Sequence, residues 1–121
     1  MINVKDQVYA KLLTVAENVS DIYPVDWATM PAIQYTEEDN SVFEKTDEAE
    51  QAARLRYRID IWDTGSTSLT ALAIDEAVSS LGLVRTMCQD AADPSGRRHK
   101  VMRYEGVIDV NTEIVSWYGS R

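Results

Sequence analysis

From Arg54 to Trp62 the side chains alternate without a break. Leu55, Tyr57, Ile59 and Ile61 fall on one face, and Arg54, Arg56, Arg58 and Asp60 on the other. That period of two predicts a half-buried strand. Asp63-Thr64-Gly65-Ser66 interrupts it, and the period then changes. Ala73, Ile74, Ala77, Val78 and Leu81 make one helical stripe from Ser68 onward, with Gly82 placed to end it. Near the start, Val4, Val8, Leu12, Val15 and Val19 recur at helical spacing, and Tyr9, Leu13 and Ala16 widen the stripe. Asn3 is the candidate cap of this helix, and Tyr23-Pro24 its expected end.

Between these elements, Met30 to Thr36 reads as a strand entered through Pro31, with Ile33 and Tyr35 on one face. Glu37-Glu38-Asp39-Asn40-Ser41 reads as a polar turn, and Val42-Phe43 as the start of a short return strand. The stretch 44–53 is acidic and lacks an apolar face, which predicts a mobile loop. A third strand is expected over Leu83–Gln89 and a turn at Asp93-Pro94-Ser95-Gly96. A fourth strand runs from His99 to Asp109, and a β-prone aromatic tail follows. The sum is a single α+β domain over residues 1–121. It has a small antiparallel or mixed sheet of about four strands, with the N-terminal helix and a second helix packed on one face.

Charge narrows the function. Twelve Lys and Arg stand against twenty Asp and Glu, a formal net charge of −8. Nucleic-acid affinity comes from clustered cations, so this balance argues against a phosphate-gripping protein. It suits a surface that DNA passes without sticking. The lone Cys88 excludes an internal disulfide framework and a multi-cysteine zinc site. No signal-peptide run opens the sequence and no stretch is long enough to span a bilayer, so a cytosolic protein is expected when it is made.

Candidate chemistry is sparse. Asp63-Thr64-Gly65, preceded by Ile61-Trp62, matches the short signature of aspartic proteases, in which two aspartates of a homodimer share a proton. Those enzymes continue in further strands, whereas here a helix begins at once. A strand-to-helix turn explains the same residues. His99 is the only histidine, so a histidine pair has no second member. Asp47-Glu48-Glu50 lacks the alternating oxygen ligands and central glycine of a calcium loop. No cofactor is implied. Arg54, Arg56 and Arg58 read either as a sheet face paired across strands or as an interface. Trp117 and Tyr118, near the end of the chain, are candidate anchors for a neighbouring subunit.

The order of elements resembles the tail terminator family of long-tailed bacteriophages, also called tail completion or tail-to-head joining proteins. The residues carrying it are the N-terminal helix, Ile22-Tyr23-Pro24 leading to Met30-Pro31-Ala32-Ile33-Gln34-Tyr35, and Tyr57-Arg58-Ile59-Asp60-Ile61-Trp62. The Ser68–Leu81 helix and the hairpin ending His99-Lys100-Val101-Met102-Arg103-Tyr104-Glu105-Gly106 complete it. The resemblance implies a non-enzymatic virion protein of the tail and neck, assembled in the host cytoplasm. Six copies form a ring that caps the tail tube, ends its polymerisation and docks on the head connector. DNA traverses the channel without specific binding. On this reading Arg54, Arg56 and Arg58 meet Asp47, Glu48 and Glu50 of the next subunit, and Trp117 and Tyr118 add an apolar anchor. The rivals are another neck or tube protein of the same particle, a small ligand-binding α+β domain, and a homodimeric aspartic protease.

Overall fold

The strand read at Arg54–Trp62 is the middle of the sheet. A computed structural model of the chain describes residues 3–46, 49–109 and 115–116. Helix α1 spans Lys5–Leu13 and α2 Ser68–Ser79. The strands are β1 (Asn18–Ser20), β2 (Ala32–Thr46), β3 (Ala49–Asp63), β4 (Val84–Ala91), β5 (Arg98–Asp109) and β6 (Val115–Ser116). They lie in the order β1-β2-β3-β5-β4, while β6 pairs with β5 at Val107 and Ile108. Among the described residues only β1 and β2 pair in parallel. The class is the α+β one expected. The main path has five strands rather than about four, because the short β1 was hidden inside the helical reading of the N-terminus.

Leu55, Tyr57, Ile59 and Ile61 are fully buried, together with Val8, Leu12, Ile74 and Val78, and Leu81 packs partly buried against them. Both helices therefore cover one face of the sheet. Met102, Tyr104 and Ile108 of β5 join the same core. Two tyrosines carry hydroxyls into it and each finds a carboxylate. Tyr57 donates to Glu37 at 2.8 Å and Tyr104 to Asp75 at 2.7 Å. Burial, then the neighbouring carboxylate, holds both phenols well above their ordinary pKa.

Four expectations need correction. Helix α1 stops at Leu13 instead of running to Pro24. Thr14 Oγ1 donates to the Lys11 carbonyl at 2.6 Å, and the Val15 and Ala16 amides both turn back to Leu12. Val19 is buried as its spacing required, but as a strand residue paired with Ile33. Glu37–Ser41 is no turn, because β2 runs straight through it. Glu37 and Glu38 have side-chain partners on β3 and β5, and a bulge between Glu37 and Asp39 absorbs the extra residue. Val42-Phe43 continues β2 and is not a return strand. In the stretch 44–53 the described residues, 44–46 and 49–53, form a β-ladder rather than a mobile loop, with Glu44 opposite Ala52, Lys45 opposite Glu50 and Thr46 opposite Ala49.

The turn after β3 leads directly into α2. Asp63 Oδ1 accepts the Gly65 amide at 3.2 Å, and Ser66 Oγ the Ser68 amide at 3.2 Å. After α2, Gly82 adopts φ 91°, a left-handed conformation that glycine reaches without a Cβ penalty. Among the described residues no helix is long and apolar enough to cross a membrane.

Candidate functional site

The face of the sheet away from the helices is built from the even-numbered residues of β3. Arg54, Arg56, Arg58, Asp60 and Trp62 project there, because their odd-numbered neighbours are committed to the core. Arg56 Nε lies 3.2 Å from Glu38 Oε1. Arg103, across β5, takes the same carboxylate with both Nε at 2.8 Å and Nη2 at 3.3 Å. The bulge in β2 sets Glu38 between them. Arg58 forks onto Asp60 at 2.8 and 3.0 Å. Asp60 is buried, and its second partner is His99, whose Nε2 lies 2.7 Å from Oδ2. The Arg54 guanidinium lies 5.3 Å from the Phe43 ring centre.

Within the chain, Arg56 thus pairs across strands with Glu38, Arg58 pairs with Asp60 of its own strand, and Arg54 lies against the Phe43 ring. Of the proposed acidic partners, Glu50 lies at the far end of β3 opposite Lys45. Asp47, Glu48, Trp117 and Tyr118 lie outside the described residues.

Sequence reasoning missed the aromatic cluster that closes one end of this face. Trp62 is 3% exposed. His99 stacks on it at 4.5 Å and 14° between planes, while Tyr23 and Trp27 meet it edge-on at 5.5 and 5.7 Å. Arg97 covers Trp27 at 4.5 Å. Trp62 Nε1 donates to Asp93 at 3.3 Å, and Asp93 also accepts the Ser95 hydroxyl and amide. The segment 21–31 that delivers Tyr23 and Trp27 is itself tied down. Asn18 Nδ2 donates to the carbonyls of Asp26 and Thr29 at 2.8 and 2.9 Å, and Asp26 Oδ1 accepts the Ala28 and Thr29 amides. It ends in a cis Met30–Pro31 bond. The cluster's four rings come from three separate stretches of chain with no shared period, and only the fold brings them together.

Beside the cluster is an open cleft of about 440 Å³, lined by Tyr23, Gln34, Thr36, Arg58 and Asp93 among others. Each carboxylate that lines it is already engaged: Glu38 by two arginines, Asp60 by Arg58 and His99, Asp93 by Ser95 and Trp62. The arrangement braces the face and the segment above it. Among the described residues no group of three or more His, Cys, Asp and Glu side chains is placed to hold a metal ion. No protein-family model matches this chain, and no curated protein does either.

The Glu38 site makes a pH prediction. Burial pushes its carboxyl up, but the hydrogen bond and charge of Arg103, with those of Arg56, outweigh burial and hold it below the ordinary value of 4.5. A depressed folded pKa contributes stability that is present above the unfolded value. It is lost as pH falls through the folded one. Glu38→Gln is therefore expected to flatten the fall in stability expected of the parent below pH 4.5, measured by urea unfolding at several pH values. Identical acid slopes would show that the two arginines do not hold this carboxylate.

Proposed function

We propose that this chain is a structural subunit of a long-tailed bacteriophage particle. It assembles into a ring that caps the tail tube, ends tube growth and joins the tail to the head connector. Its sites are the host cytoplasm during assembly and the tail–neck region of the virion afterwards. The reading rests on the sequence resemblance, and one observation carries it on the structural side. The chain exposes apolar side chains at both ends of its strands. At the end capped by the aromatic cluster, Ile22, Tyr23 and Val25 are exposed to 61%, 59% and 86%, on a segment that Asn18, Asp26 and Trp62 hold in place. Toward the hairpin end, Val42 and Phe43 are exposed to 56% and 49%. Val42 lies ten positions along β2 from Ala32, about 33 Å of strand.

A joining piece needs contacts at two opposite ends, and exposed apolar side chains held in a fixed geometry are what a docking surface requires. The net charge of −8 suits a channel that DNA traverses without adhering. A ring contact through Arg54, Arg56 and Arg58 remains part of this reading, with Arg56 and Arg58 also holding carboxylates of their own chain. The test is tube growth followed by light scattering. A capping ring stops elongation at far fewer copies of this chain than of tube protein. Unaltered elongation with the chain in excess would refute the reading.

A further inference from the structure

Strand β4 ends the sheet: one of its edges pairs with β5, and among the described residues no strand pairs with the other. Proteins commonly guard such an edge with charged side chains, lysine above all, with proline or with a bulge. Val84-Arg85-Thr86-Met87-Cys88-Gln89-Asp90-Ala91 has no lysine or proline, its charges Arg85 and Asp90 are of opposite sign, and its side chains are exposed or half-buried throughout. Its one irregularity, the extra residue between Arg85 and Met87, decides which faces the side chains take. Arg85, Cys88 and Asp90 stand opposite Tyr104, Met102 and Lys100, on the side covered by the helices. Val84, Met87, Gln89 and Ala91 stand opposite Glu105, Arg103, Val101 and His99, on the other side.

We infer that this edge is the docking site for β4 of a second copy of the chain, the two strands running antiparallel about a two-fold axis at Cys88. Residues directly opposite in an antiparallel pair share a face. With the axis at Cys88, Met87 faces Gln89 of the second copy. The bulge at Thr86 then brings Arg85 opposite Asp90, and Val84 opposite Ala91, each pair on one face. Without the bulge, Arg85 and Asp90 would lie on opposite faces and could not meet in this register. A shift of the axis by one residue to Gln89 places Asp90 opposite Cys88 and loses the charge match. The edge is self-complementary in this register, as an isologous contact requires.

The charges extend the match. Arg85 already lies 2.9 Å from Asp75, and Asp90 lies 2.8 Å from Lys100. Pairing the edges links them in alternating sign: Asp75, Arg85, Asp90 of the second copy, Lys100 of the second copy. The axis repeats this series twice. An apolar contribution lies beside it, where Leu72 of α2, 67% exposed, lines a groove with Ala71, Cys88 and Met102. A two-fold axis normal to the sheet keeps both α2 helices on one side, so the two grooves face each other. The pairing itself does not depend on the proposed function. Its role in assembly does: subunits of a capping ring all point the same way, whereas this dimer joins them pointing oppositely. The dimer is then a form of the unassembled chain that must open before a ring closes.

Two measurements on the unassembled full-length chain test the contact. The first is disulfide trapping with copper phenanthroline and dissolved oxygen. Two Cys88 thiols together give up two protons and two electrons to oxygen and form one S–S bond. Opposed residues in an antiparallel pair have Cα atoms about 4.5–5.5 Å apart, within disulfide reach. Cys88 is exposed and needs no unfolding to react. Rapid conversion to a covalent dimer is expected, with much slower conversion for a Cys88→Ser chain carrying Gln89→Cys, whose thiols lie off the axis. Equal rates would overturn the register. The second is dissociation measured by analytical ultracentrifugation. Arg85→Asp and Asp90→Arg are each expected to weaken the dimer about tenfold or more, since two attractive pairs become repulsive. The double variant should recover part of the loss, because each reversed charge also meets a like charge of its own chain, at Asp75 or at Lys100. A monomeric parent at tens of micromolar, or a double variant no tighter than the singles, would overturn the contact. Tube capping is scored separately, so loss of the dimer with capping intact leaves the proposed function standing.

Discussion

Replacing Ile59 by alanine is expected to lower stability by about 2–5 kcal/mol, the range for removing a large aliphatic side chain from a packed core. Ile59 is fully buried at the centre of β3, opposite Tyr35 of β2 on one side and Met102 of β5 on the other. All three lie in the core cluster beneath the helices. The central strand is held by neighbours on both edges, so it cannot shift to fill the space, and the loss should fall toward the upper part of that range. Urea unfolding followed by far-ultraviolet circular dichroism gives the value. A midpoint unchanged from the parent would mean that Ile59 does not face the helices and that the β3 register is wrong.

Trp62→Ala is expected to cost a similar amount, about 3–5 kcal/mol, with a different signature. Trp62 lies on the opposite face, and its loss removes the surface on which His99 stacks and against which Tyr23 and Trp27 pack. It also removes the Nε1–H donor to Asp93. The segment 21–31 would keep only the hydrogen bonds from Asn18 and those within itself. Amide exchange should therefore quicken across residues 21–30 well before it does in β3 and β5. Hydrogen exchange read by mass spectrometry distinguishes this from general loosening. Uniform acceleration across the chain, or none in the segment, would show that Trp62 does not brace it.

The contrast between these residues explains what the sequence could disclose. Ile59 announced itself because a strand's two faces see different solvents, and β3 alternates cleanly as a result. The same logic exposed α2 and most of β5. It failed where polar residues are satisfied by partners distant in sequence. Glu37 and Glu38 look like turn residues until Tyr57, Arg56 and Arg103 are brought beside them, 18 to 65 positions away. Residues 44–46 and 49–53 looked solvated for a related reason: their backbone pairing is set by the register of β2 against β3, which their side chains do not advertise. Val15 and Val19 continued a helical period by chance of spacing. Val19 is buried whether the segment is helix or strand, so burial alone could not choose between them. Of the interface candidates, the arginines were correctly placed on one face, but the choice between partners in the chain and partners beyond it needed Glu38 and Asp60 in position. The cluster at Trp62 was illegible for a plainer reason. Tyr23, Trp27, Trp62 and His99 come from three separate stretches of chain, and no periodicity links them.

We propose that this chain caps a tail tube, and images of tubes in its presence decide the matter. Purified tail tubes are mixed with the chain and viewed by negative stain, with tubes alone as the control. The account predicts a ring of density, one subunit thick, at one end of the tubes, with tube length fixed from the moment of addition. Bare ends on tubes that continue to lengthen, with the chain remaining in solution, would contradict it.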